Sequence, residues 1–270
     1  MDCPDDFHTL RAMLEWQHDL GVTEAVGDVA INRYEVVGVR QTGAADVARA
    51  ADRVPGAQAL PQAVPQGVAA GPDPVAQATA LAAGAGDLAA LRAAIAGFDS
   101  CDLKQGARSL VFADGNPLAR VMVLGEAPGR EEDQQGLPFI GPAGQMLDRM
   151  FAAIGLSRRA DEPERALYIT NIVPWRPPQN RDPSPAEIAM FMPFVARHVG
   201  LIDPAVLVLM GNIPCFGVLG QRGITRLRGQ WAEALGRPVL PMFHPAYLLR
   251  NPAAKREAWA DLLALKARLG

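Results

Sequence analysis

The sequence predicts an α/β fold: a three-layer α/β/α arrangement around a central, mostly parallel four-stranded sheet, with a flexible N-terminal extension. Three observations carry this reading. Short apolar runs ending in glycine recur in the C-terminal half, VMVL at 121–124 before Gly125 and AVLVLM at 205–210 before Gly211; such runs suit strands covered on both faces. Segments with helical spacing separate them, and strands alternating with helices build a parallel sheet between two helical layers. The stretch 43–80, by contrast, holds 13 Ala, 5 Pro and 4 Gly in 38 positions, too little apolar side chain to offset the entropy of ordering it.

Taken in order, residues 7–20 put Leu10, Met13, Leu14 and Leu20 near helical spacing, which predicts a short amphipathic helix within an N-terminal segment 1–40. Residues 41–85 read as a disordered Ala/Pro/Gly-rich linker, with transient helix around 44–53. Residues 86–270 form the folded domain, a length that suits one core. In it, 121–124 is the first buried strand, and Met146, Leu147, Met150, Phe151 and Ile154 mark a helix. Residues 166–173 are strand-like, 185–202 form a helix with Pro185 in its first turn, 205–210 is a second buried strand and 238–243 a weaker one. Asn251 and Pro252 supply an N-cap and first-turn proline for a helix reaching Leu269.

The net charge of −3 divides unevenly. Residues 1–100 carry 6 Lys/Arg against 13 Asp/Glu, whereas 221–270 carry 9 against 3. The basic end can meet phosphates, although a charged run is more often a solvated helix face. Three scattered cysteines (Cys3, Cys101, Cys215) make no disulfide framework, and the acidic N-terminus lacks an apolar signal region. No apolar run is long enough to span a bilayer. The expectation is a soluble, cytoplasmic, nucleoid-associated protein.

In parallel sheets ligands bind outside the carboxyl ends of the strands. That rule selects 125–129, 171–176, Gly211-Asn212 and His244-Pro245, which should converge on one cleft. Each has a plain reading. GEAPG is an ordinary strand-to-helix turn, or a phosphate loop without the Lys-Ser/Thr pair. Phe139 suits a core, Asn171 suits a strand end, and His244 can bond a neighbouring carbonyl.

Three motifs together go further: GEAPGREEDQQGLPFIGPAGQMLD at 125–148, ITNIVPWRPPQNRDP at 169–183 and FHPAYLLRNP at 243–252. In this order, from about Phe98 to the C-terminus, they resemble the family 4 uracil-DNA glycosylases of the uracil glycosylase superfamily. The resemblance implies a monofunctional glycosylase that flips uracil out of DNA and hydrolyses its glycosidic bond, leaving an abasic site. It puts Gly125 and Ala127 in the loop that lines the base pocket, with Glu126 and Glu132 as the acidic candidates near the attacking water and near C5 of the base. Some relatives carry Asp where Ala127 stands, so the water-activating group is left open between these two. The flipped base would stack on Phe139, Asn171 would read its edge, and His244 would donate to O2 as charge builds there. Leu248 and Leu249 would wedge the duplex, with Arg250, Lys255, Arg256, Arg176 and Arg181 on the phosphates.

Most family 4 members hold an iron–sulfur cluster on four cysteines. The matching positions here are Phe98, Cys101, Trp175 and Phe191. The expectation is therefore a divergent branch without a cluster, its space filled by rings, and with no other metal or cofactor. The implied partners are uracil-containing DNA, single- or double-stranded, and free uracil as product, handled by a monomer away from membranes. Two alternatives stay open from sequence: action on another deaminated base such as hypoxanthine or xanthine, or an inactive module binding abasic or single-stranded DNA.

Overall fold

The computed structural model describes residues 73–270. The helix expected at 7–20, the transient helix at 44–53 and most of the expected linker lie outside the described residues. The linker's expected end at 85 is corrected by helix α1 (Pro74–Gly84). Asp73 caps it, accepting from the Val75 N–H at 3.0 Å, and Pro74 opens its first turn. Helix α2 (Leu88–Ala96) starts the same way, with Asp87 accepting from the Ala90 N–H at 2.7 Å. Both pack on α6 (Pro185–Ile202). Ala78 and Ala82 are buried there, and Arg197 of α6 donates to the Ala85 carbonyl at 2.8 Å. Small side chains, which count against folding in an isolated segment, let two helix backbones approach closely and form helix readily.

The sheet runs β1-β3-β2-β4-β6-β5. Its four central strands are parallel: β2 (Val121–Gly125), β3 (Leu167–Asn171), β4 (Val206–Met210) and β6 (Arg237–Met242). Two short antiparallel strands, β1 (Asp114–Gly115) and β5 (Ala232–Ala234), close the edges, so the sheet has six strands where sequence predicted four. Segments of two or three residues carry no readable alternation and exist through pairing with a longer neighbour.

Successive strand residues alternate between layers. Met122, Leu124, Tyr168, Leu207 and Leu209 enter the core under α1, α2 and α6. Val121, Val123, Ile169, Val208 and Leu240 enter the opposite core, under α5 (Pro142–Ala152) and α10 (Lys255–Leu269). Helix α6 starts at a full capping box, with Ser184 and Glu187 bonding each other's backbone N–H. The final helix starts later than predicted: Pro252–Ala254 form a 3-10 turn and Asn251 makes no side-chain cap. Among the described residues no helix is long and apolar enough to cross a membrane.

Register aligns the functional ends. Gly125 pairs with Asn171, Leu124 with Leu209 and Met210 with Met242. With strands about 4.8 Å apart, the carboxyl ends of β3, β2, β4 and β6 span roughly 15 Å. From β2 the chain moves to β3 on one side and then to β4 on the other, so the crevice of the sheet opens above Gly125.

Candidate active site

That crevice is a cavity of about 570 Å³. All four segments chosen from strand ends contribute to it, with Glu126, Phe139, Asn171, Gly211 and His244 in its wall. At its floor, Gly125 is required by crowding: a Cβ there would overlap both the Phe139 ring and the Asn171 amide oxygen. Past Gly125, the Ile172 and Val173 N–H groups still donate to the Gly125 and Glu126 carbonyls, at 2.8 and 3.0 Å. The loop is thus tied to β3 as far as its acidic residue.

The two candidate acids differ. Glu126 is half-buried in the cavity wall. Burial, then the charge of Asp182 and a hydrogen bond shared by the two carboxyls, push its pKa from 4.5 up to about 7. Glu132, on α4 (Arg130–Gln135), accepts from the Ile140 and Gly141 N–H groups through one oxygen, both at 3.0 Å. It braces the Phe139 turn while also lining the cavity. Asp182, which also lines the cavity, was not singled out from sequence; its only signal was its place in the NRDP run.

His244 caps α9 (Pro245–Arg250). Its Nδ1 accepts from the Ala246 N–H at 3.2 Å. A backbone N–H only donates, so the neutral ring carries its proton on Nε2. Burial first, and the charge of Arg250 second, lower the His244 pKa to about 4 against an opposing pull from Glu132. The imidazole is therefore neutral near pH 7 with one N–H to offer. Its ring lies 5.5 Å from that of Phe139, tilted by 32°.

The expected DNA contacts divide. Leu249 is 41 % exposed, but Leu248 is fully buried against α5 and α10. Leu248 as a wedge is corrected: residues 245–250 form a helix, and neighbours on a helix cannot share a face. Arg250, Lys255 and Arg256 are exposed. Arg181 instead gives both terminal nitrogens to Glu187, at 2.8 and 2.6 Å, holding that carboxyl down at about 2. Arg176 donates to Asn180 at 2.8 Å. Ala127 lines the cavity beside Glu126.

Phe98, Cys101, Trp175 and Phe191 lie in one apolar cluster. Phe98 meets Phe191 edge-on, with ring centroids 5.9 Å apart, and Phe194 at 5.4 Å. Trp175 Nε1 is buried with no hydrogen-bond partner among the described residues, and burial raises the Cys101 thiol.

A sequence profile described as the uracil DNA glycosylase superfamily matches residues 112–263, from before β1 to within α10. The chain belongs to that superfamily. The profile covers the sheet and every strand end that builds the cavity. Similar proteins include one from Thermotoga maritima, 40 % identical over 155 residues, covering 56 % of this chain and 78 % of that one. Another, from Archaeoglobus fulgidus, is 36 % identical over 172 residues, 60 % and 82 % of the two chains. A third, from Pyrobaculum aerophilum, is 32 % identical over 191 residues, 65 % and 91 %. Each of the three is named a type-4 uracil-DNA glycosylase. The superfamily's three-layer fold is the one the sheet and its two helical layers form here.

Proposed function

We propose that this protein is a family 4 uracil-DNA glycosylase, a hydrolase that removes uracil from DNA by cleaving its N-glycosidic bond. The observation that carries this is one cavity holding an aromatic face, a side-chain amide and a neutral histidine with its N–H on Nε2. A base drawn out of the helix stacks on Phe139, which contributes roughly 1–3 kcal/mol whatever the base. Choice falls to Asn171. Its amide can donate to uracil O4 and accept from N3–H, whereas cytosine offers the opposite pair and leaves buried polar groups unsatisfied.

As the glycosidic bond breaks, negative charge grows on the leaving base. The His244 Nε2–H donates to O2, an interaction that strengthens mainly in the transition state. The sugar becomes cationic. The Glu126 carboxylate stabilises it and takes the proton of the water attacking C1′. Among the described residues the cavity wall contains no lysine, which favours a glycosylase that forms no Schiff base and leaves the backbone uncut. Leu249, Arg250, Lys255 and Arg256 supply an apolar wedge and phosphate contacts.

The relatives' family usually holds an iron–sulfur cluster, and the residues here do not fit one. Four thiolates are needed, and the matching positions offer one thiol, Cys101, and three aromatic side chains. We take this chain to be a branch without the cluster, acting as a monomer and releasing free uracil.

The test is incubation with single- and double-stranded oligonucleotides carrying U, hypoxanthine, xanthine or T, followed by alkali. Cleavage of the U substrates after alkali, and not before it, is expected. Intact U substrate, or hypoxanthine cleaved in preference, would overturn the assignment.

A further inference from the structure

Phe139 has a left-handed backbone, φ +52°, which a bulky residue adopts only where its surroundings impose it. The imposing group is Arg158, between α5 and β3, its side chain 7 % exposed. Nη1 donates to the Pro138 carbonyl and Nη2 to the Phe139 carbonyl, both at 2.9 Å. Those carbonyls belong to the two peptide planes flanking the Phe139 Cα. Their orientations define φ and ψ of Phe139, so one planar guanidinium fixes both. Asp148 of α5 holds Nε at 2.8 Å and Asp114 of β1 holds Nη1 at 3.0 Å, which orients the fork and compensates its buried charge. On the other side Glu132 grips the next two amides. Below, Gly144 leaves room for the Phe139 carbonyl, which a Cβ would overlap.

We propose that Arg158 is a positioning residue for base excision: through the two carbonyls it sets the pitch of the Phe139 ring, so that a stacked base meets Asn171 and His244 together. This rests on the glycosylase reading above. It also gives the two-residue edge strand β1 a role, as the mount for Asp114.

Lysine keeps the charge but lacks the planar fork, so Arg158→Lys is the probe. Single-turnover excision from a uracil oligonucleotide, normalised to folded protein by circular dichroism, is measured for Arg158→Lys in wild-type and Phe139→Ala backgrounds. The expected loss is at least about tenfold with the ring present, a misplacement of about 1 Å costing up to roughly a hundredfold, and under about twofold without it. Equal losses in both backgrounds would mean that Arg158 only supports the fold, and would overturn the proposal. If Arg158→Lys does not fold, Asp148→Asn, which loosens the same fork from a half-exposed position, should show a smaller loss with the same dependence on Phe139. A second readout needs no DNA: in protein labelled with 4-fluorophenylalanine, the Phe139 resonance should shift and broaden in Arg158→Lys while those of Phe98, Phe191 and Phe194 stay. An unmoved Phe139 signal would overturn the clamp. A wild type that leaves uracil in place would instead overturn the glycosylase reading.

Discussion

Replacing Asp182 by Asn should shift the acid limb of the pH–rate profile without abolishing excision. In the folded protein Glu126 titrates at about 7 instead of 4.5, with burial the largest cause and Asp182 supplying the others. Wild-type excision should therefore rise through a midpoint near 7 and level off above it, as the carboxylate forms. His244 does not contribute to this limb, because it stays neutral down to about 4. Asp182→Asn removes a like charge and leaves burial in place, so the midpoint should fall while remaining above 4.5. At pH 6 a group at about 7 is ionised in roughly one molecule in ten. A complete return to 4.5 would raise the rate at pH 6 about tenfold relative to its plateau; with burial retained, a gain of a few-fold is expected. Folding is linked to the same proton. A raised carboxylate pKa means that the native state holds more protons than the unfolded chain between 4.5 and 7. Glu126 alone thus makes stability fall as pH rises through that window, by an amount on the order of 3 kcal/mol at most. His244, lowered from 6.5 to about 4, has the opposite sign and costs stability as pH falls across much of the same range. The clean assay is accordingly single-turnover rate against pH for wild type, Asp182→Asn and Glu126→Gln, the last expected to lose the limb and at least about a hundredfold in rate. A wild-type profile flat from pH 5 to 8, or one unmoved by Asp182→Asn, would refute the pairing.

Five further outcomes are expected. His244→Ala should lower single-turnover excision by at least about a hundredfold with little change in DNA affinity by fluorescence anisotropy; near-normal excision would remove it from the mechanism. Leu249→Ala should slow excision from duplex more than from single strands, whereas Leu248→Ala should cost stability, about 2–5 kcal/mol in urea unfolding, because only Leu248 is buried. A chain starting at Asp73 should remain folded and active, while one starting at Asp87 should melt at lower temperature through loss of α1 from the face of α6; equal melting temperatures would show that α1 contributes nothing. The purified protein should be colourless and free of iron by elemental analysis. Trp175→Ala should destabilise it by roughly 3–5 kcal/mol, and Trp175→Phe by less, since Nε1 bonds no group among the described residues.

The central strands and the long helices were legible because each is stamped by a local period. The continuous apolar runs at 121–124 and 205–210 are strands in the structure, and Pro185 with its capping residues starts α6 where expected. The strand-end rule names the cavity's four corners from sequence, since parallel strands in register must end together. What only the tertiary structure decided depends on partners far away in the chain. Ala78 and Ala82 look unpackable until α6 lies against them. Leu248 and Leu249 are indistinguishable in sequence until a six-residue helix turns one inward. Glu126 and Glu132 are two glutamates six positions apart until one meets Asp182 and the other takes the amides of Ile140 and Gly141. Arg158 has no motif at all, because its role lies in two carbonyls 19 and 20 residues earlier in the chain. A residue's own chemistry and its periodicity are properties of the sequence; its pKa, its exposure and the group it holds in place come from neighbours that only folding supplies.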